Sequence, residues 1–195
     1  MEGWGAAFVA MPGHKGLYGP QGTGLLLCGG DASPLLYGGT GSLSARQEMP
    51  DFLPDRLEAG TQNVCGAAGL LAGIKFVSRK GIGRIHAHER ALACRMMDRL
   101  EMLSGVTVFR GGQSQSGLFS LTVDGMDCEM AAEELAKRDV AVRAGLHCAP
   151  LAHQSAGTAD TGTVRFSFSA FNSAAQVDRA AVILGQIVKD GKKAW

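Results

Sequence analysis

Two apolar runs, residues 6–11 and 25–27, bracket a glycine-dense segment near the start of the chain, so residues 1–30 read as strand, glycine loop, strand. Residues 31–63 show no period. They carry Asp31, Ser33, Pro34 and Gly38-Gly39-Thr40-Gly41 and read as a long loop, a class of segment that tends to be functional or disordered. From Val64 the pattern turns helical: Ala67, Leu70, Leu71, Ile74 and Val77 recur at the spacing of one helix face, and Gly81 stands just beyond. A second helix is predicted over 82–103, with Ile85, Ala91, Leu92, Met96, Leu100 and Leu103 as its buried stripe and its methionines as core filler. Beyond Gly105 short strands (106–109, 118–123, 140–143, 164–168) alternate with helices (128–138, 174–188). That order predicts a small sheet covered by helices on one side.

With 195 residues and 46% hydrophobic content, the chain can bury a substantial core, expected as one domain plus an appendage. The net charge is +1 and no run of Lys or Arg exceeds a pair, so neither a nucleic acid nor an anionic membrane is expected as partner. No stretch approaches the roughly 20 apolar residues of a membrane span. The start, Met-Glu-Gly-Trp-Gly, lacks a basic segment leading into an apolar one, which makes a cytoplasmic location the default expectation. Five widely spaced cysteines without a C-x-x-C pair argue against a disulfide framework and a thiolate zinc site. His86 and His88, two apart on a predicted helix, point in different directions, so no shared metal is expected.

The candidate chemistry starts at Lys15, in Gly13-His14-Lys15-Gly16-Leu17-Tyr18-Gly19-Pro20-Gln21-Gly22-Thr23-Gly24. A lysine fixed where a strand meets a glycine loop suits Schiff-base chemistry, which needs the amine held against an aldehyde and partly desolvated. The same three letters, His-Lys-Gly, also suit a solvated loop lysine. Three later blocks stand out: Arg56-Leu57-Glu58-Ala59-Gly60-Thr61-Gln62-Asn63, then Val142-Arg143-Ala144-Gly145-Leu146-His147-Cys148-Ala149-Pro150, then Thr163-Val164-Arg165-Phe166-Ser167-Phe168 with Phe171-Asn172. Taken together and in this order, the four blocks resemble the class V aminotransferases, and in particular the cysteine desulfurases and their close relatives.

The resemblance implies an α/β fold, the C-terminal part of a pyridoxal-phosphate-dependent transferase of fold type I. Residues 1–63 would be the remnant of the large cofactor-binding domain, and 64–195 the small α+β domain with its connecting helices. In the resembled family most of the large domain precedes the lysine, whereas 14 residues precede Lys15 here. The chain is therefore expected to be a truncated or partial form that lacks the acidic partner of the pyridine nitrogen, the ring-stacking histidine and one phosphate turn.

By the same resemblance Lys15 forms the Schiff base with pyridoxal 5'-phosphate and later moves a proton. His14, Gly60 and Thr61 contact the cofactor phosphate, the last two across a homodimer. Pro12 stands where relatives carry a hydroxyl, so one phosphate contact is missing. Cys148 would take sulfur from L-cysteine as a persulfide, leaving L-alanine, and pass it to a sulfur-acceptor protein. Adjacent His147 is not its base, because neighbours in an extended segment point to opposite sides. Leu146 replaces the first of two histidines common in relatives, which leaves selenocysteine open as substrate. Arg165, alone in an apolar strand, needs a partner: the resemblance makes it the substrate carboxylate, while a structural pair with Asp178 is the alternative. Arg143 is a second carboxylate contact or an organiser of the cysteine loop. Three alternatives remain at this level: an aminotransferase or epimerase with Cys148 incidental, a selenocysteine lyase, and a non-catalytic dimerisation module.

Overall fold

A computed structural model describes residues 1–113 and 115–191, with the side chain of Glu2 excepted. The chain divides into two compact units, Met1–Gly81 and the residues from Ile82 onward. The composition change at residue 63 lies inside the first unit, because the helix that follows it packs there.

In the first unit, β1 (Phe8–Pro12) and β2 (Gly24–Cys28) form an antiparallel hairpin with Phe8 opposite Cys28 and Pro12 opposite Gly24. Helix α1 (Val64–Lys80) begins where the Asn63 side chain accepts from the Gly66 N–H, satisfying one of the free donors of the first turn. It ends at Gly81, whose φ of 86° breaks the helix while its N–H still bonds the Val77 carbonyl.

Its buried stripe is Gly66, Leu70, Gly73 and Val77 rather than the all-apolar stripe expected, and Ala67 and Leu71 are exposed. The glycines explain the substitution. A Cβ on Gly73 would lie 2.2 Å from the Leu17 carbonyl oxygen, and one on Gly69 3.0 Å from the Pro20 ring, so the helix backbone itself is the seat of the 17–20 segment. Gly73→Ala therefore opposes two effects: about 1 kcal/mol of helix propensity gained against a clash with backbone that cannot rotate away. We expect the clash to win, with unfolding monitored by circular dichroism showing a net loss of about 1–3 kcal/mol. Gly83→Ala, in α2 with open space around it, should stabilise instead.

In the second unit, a four-stranded antiparallel sheet has the order β3-β4-β6-β5. Its strands are β3 (Val106–Phe109), β4 (Leu118–Val123), β5 (Arg143–Gly145) and β6 (Thr163–Ser167). Helices α2 (Ile82–Leu100), α3 (Cys128–Ala136) and α5 (Ala174–Gly191) cover one face, and the short α4 (Pro150–Ala156) lies between β5 and β6 in sequence. Phe119, Leu121, Val164 and Phe166 alternate along β4 and β6 into a core completed by Met96, Met97 and Leu100 of α2, Leu135 of α3 and Leu184 of α5. The strand expected at 140–143 pairs only from Arg143. Before it, Asp139 takes a left-handed φ of 61° and the Val140 N–H closes the end of α3 on the Leu135 carbonyl. Val140 and Val142 pack on the core without joining the ladder, so their apolar alternation reported burial and not pairing.

Candidate functional site

In the first unit the connection from β1 to β2 is tied at its base. The Gly13 N–H bonds the Thr23 carbonyl at 2.8 Å, the Gly19 N–H returns to the Gly13 carbonyl at 2.8 Å, and the Thr23 hydroxyl donates to the Pro20 carbonyl at 2.6 Å. Tyr18 (φ 54°) closes a turn onto the Lys15 carbonyl, and its ring meets Phe76 of α1 edge-on at 5.2 Å. The effect is to fix everything in the loop except its tip. His14, Lys15 and Gly16 are exposed there, and Lys15 enters no ion pair among the described residues.

Gly60 and Thr61 line a separate recess of ≈ 540 Å³ with Gly38–Gly41, Ser44, Arg46 and Gln47. Here the local chemistry differs from the expected nest. The Gly60 N–H is already committed to the carbonyls of Gly38 (3.2 Å) and Gly39 (3.0 Å), and a Cβ on Gly39 would sit 2.6 Å from the Gly60 Cα. Gly60 thus shapes the turn, and the donors it leaves for an anion are those of Thr61. The loop is pinned elsewhere by Arg56 on Asp31 (2.5 Å) and Ser42 on Asp55 (2.6 Å).

In the second unit Arg143 and Arg165 are register partners on adjacent strands, so their side chains leave the same face of the sheet. That face is opposite to the one carrying Val164 and Phe166 into the core. No acidic side chain pairs with Arg165 among the described residues, and its buried Nε has no hydrogen-bond partner. Asp178, the structural alternative, is taken by Arg95 (2.7 Å) and Arg99 (3.0 Å), and the hydrogen bond from Arg95 holds its carboxyl below the usual range.

Beyond β5 comes His147, whose Nε2 lies 3.0 Å from the Thr163 hydroxyl oxygen and whose Nδ1 is buried without a partner. Burial pushes the His147 imidazole below its ordinary value of 6.5, and the positive charges of Arg165, His153 and Arg143 add to the shift. Cys148 follows, exposed, with a φ of 60°. Cys128 is its opposite. Burial pushes that thiol up, as does its hydrogen bond to Glu129 at 3.0 Å, which marks it as an unreactive core residue. His153 and Thr158 were not legible as site residues in the sequence, because the helix that carries His153 spans only 7 residues. The His153 ring, 5.6 Å from that of His147, is buried with its Nδ1 2.8 Å from the Thr158 hydroxyl oxygen.

The profile of the aminotransferase class-V family matches residues 1–180. The chain belongs to this family. Its members depend on pyridoxal phosphate. A probable cysteine desulfurase of Methanothermobacter thermautotrophicus is 34% identical over 96% of the chain and 49% of the relative, and one of Halalkalibacterium halodurans is 36% identical over 91% and 44%. Among solved structures, the apo cysteine desulfurase of Thermococcus onnurineus superposes with a TM-score of 0.82 at 34% identity, covering 95% of this chain and 48% of that one. A cysteine desulfurase of Escherichia coli, solved as the S-sulfonic acid, gives 0.84 at 30%, covering 96% and 47%. The fold is accordingly that of the fold-type I enzymes, and the chain spans about half the length of the curated relatives it matches.

The residues present fit the family's cofactor in their donor chemistry. A primary amine, exposed here rather than partly desolvated and with no acidic partner among the described residues, stands on a clamped loop, and a threonine on a glycine turn offers hydroxyl and N–H to a phosphate. Pro12 offers neither.

Proposed function

We propose that this chain carries the lysine, thiol and carboxylate elements of a pyridoxal-phosphate-dependent cysteine desulfurase. The observation that carries the reading is Arg165: a guanidinium in a β-strand, its Nε buried and unpaired, beside Arg143 and just across the ladder from the segment that leads to an exposed cysteine. An unpaired guanidinium in that setting is costly unless an anion completes it, and its planar fork matches a carboxylate in two-point fashion. Asp178 does not supply that anion, so the α-carboxylate of an amino acid is the fitting occupant. The relatives' printed function narrows the amino acid to L-cysteine.

Residues 1–63 then belong to the end of the large domain and 64–195 to the small domain with its connecting helices. Lys15 would hold the cofactor through its amine and, once displaced by substrate, carry a proton at the substrate Cα. His14 and Thr61 would face the phosphate, with Gly60 setting the turn for Thr61 and the contact made across a homodimer. Pyridoxal phosphate supplies an electron sink for the carbon that loses the proton. Arg165 holds the substrate carboxylate, aided by Arg143. The Cys148 thiolate attacks the substrate sulfur: an S–S bond forms as the Cβ–S bond breaks, Cβ takes a proton, alanine leaves, and a persulfide stays on Cys148 for an acceptor protein. The unpaired cysteines suit a reducing compartment such as the cytoplasm, and no helix among the described residues is long and apolar enough to cross a membrane.

The test supplies the chain with pyridoxal phosphate and L-cysteine, with and without the large-domain half of a relative, and follows alanine release and the mass of the Cys148 peptide. The peptide should gain one sulfur atom, and Cys148→Ser should cut turnover by roughly 10³-fold or more, as loss of a nucleophile does. Unchanged alanine production in Cys148→Ser would mean that the sulfur leaves without Cys148 and would remove it as the acceptor, whereas activity kept on an amino acid without sulfur returns the chain to the aminotransferase reading.

A further inference from the structure

The segment that presents Cys148 is a four-residue turn of an expensive kind. The Ala149 N–H donates to the Leu146 carbonyl at 2.9 Å, and the two residues between, His147 and Cys148, have φ of 53° and 60°. Two successive positive φ values closed by this hydrogen bond match a type I′ turn, which favours asparagine and glycine because Cβ crowds the backbone there. Here both central residues carry side chains larger than a methyl group. A turn with this composition does not hold itself, so its conformation has to be fixed from outside.

The Ala149 carbonyl accepts from the His153 N–H of α4 at 3.2 Å, and the side-chain polar contact that leaves the turn is the His147 ring. Its Nε2 is 3.0 Å from the hydroxyl oxygen of Thr163, a buried residue that opens β6 opposite Gly145 of β5. One side of the ring meets His153, which is itself locked by the Thr158 hydroxyl at 2.8 Å and backed by the Thr158 N–H on the His153 carbonyl. The other ring nitrogen, Nδ1, has no partner, so the Thr163 contact is the ring's polar hold.

We propose that His147 is the positioning residue for Cys148: its hydrogen bond to Thr163 keeps the 146–149 turn in its strained form and so holds the cysteine out from the sheet. Cys148 counts as the acting thiol only on the desulfurase reading, whereas the turn and its hold are independent of it. Thr163→Val removes the hydroxyl at constant volume. The same ring contact without nitrogen is reached by His147→Phe.

The measurement is hydrogen exchange at the Ala149 amide of the purified chain, with no cofactor added. Loss of one hydrogen bond should speed that exchange by about tenfold in either variant, with the Leu121 amide of β4 unchanged and Thr163→Ser near wild type. Adding Cys148→Gly to Thr163→Val should slow it again, because glycine takes positive φ without strain. A purely structural threonine would give no such rescue. The inference is overturned if both single variants leave Ala149 exchange as it was, if exchange rises equally at Leu121, or if glycine at 148 restores nothing. None of these outcomes bears on whether Lys15 binds the cofactor or Cys148 accepts sulfur.

Discussion

On the proposed reading, Lys15→Ala loses the borohydride-stable adduct that pyridoxal phosphate is expected to leave on the wild-type chain, and with it the desulfurase reaction proposed for the site. The loop geometry makes the effect specific to this one lysine. Its neighbours are clamped by the Gly13, Gly19 and Thr23 hydrogen bonds and by the contact of Tyr18 with Phe76, so the amine is presented from a fixed base, with no acid paired to it among the described residues. Lys137 illustrates the contrast, since its ammonium is held between Glu133 (3.1 Å) and Glu134 (2.9 Å), and hydrogen bonds to those carboxylates raise its pKa. Proton transfer by a positioned side chain is worth about 10²–10⁴-fold in rate, so the lysine variant should fall at least that far even where cofactor still binds without the covalent link. Lys15→Arg should be no better, because the guanidinium keeps the charge and loses the nucleophile. Peptide mapping after reduction is the readout. Label distributed over the surface lysines in the same pattern before and after Lys15→Ala would remove Lys15 from the site.

The elements with regular periodicity were legible in the sequence. β3 and β4 fall where the alternation of Val106, Val108, Phe119, Leu121 and Val123 puts them, and α2 and α5 follow their apolar spacing to within a turn. Two of the misses share a physical cause, which is that tertiary contact replaced local pattern. In α1 the buried face uses Gly66 and Gly73, residues that score as poor helix formers, because the 17–23 loop needs the helix backbone itself. Val140 and Val142 have the look of a strand, but their backbone is used to close α3. α4 is one short helix begun by Pro150 and ended by Gly157 in a left-handed conformation, too brief to show a period.

At the site, residue types could be read and their commitments could not. Arg165 is visible as a lone guanidinium in an apolar strand, yet only coordinates show Asp178 spent on Arg95 and Arg99. Gly60 reads as an anion-binding glycine, yet its N–H closes onto Gly38 and Gly39. The His147–Cys148 dipeptide hides a turn that its own composition disfavours, and what holds the ring is Thr163, 16 residues on, with His153 of α4 against it.

The largest stability loss should follow Phe119→Ala. Phe119 lies on β4, a central strand of the sheet, and its ring stacks on Phe166 at 5.5 Å with 7° between planes, with Phe168 at 6.4 Å. It is 2% exposed, so the deleted ring leaves a cavity that Leu121 and Val164, already fully packed, cannot fill. Removing a buried phenyl costs about 3–5 kcal/mol from lost transfer energy and the void together, a large share of the roughly 5–15 kcal/mol that a domain has. The consequence reaches the site through the ladder. Phe119 faces Phe166 in register, and the next pair along is Ser120 with Arg165, so loosening the first pair loosens the strand that aims the guanidinium. Phe119→Leu, which keeps most of the volume, should cost markedly less. Denaturant melts of both variants decide the matter: a Phe119→Ala loss below about 1 kcal/mol, the scale of a surface change, would mean that the second unit is held by its helices alone and that the aromatic stack is incidental to where Arg165 points.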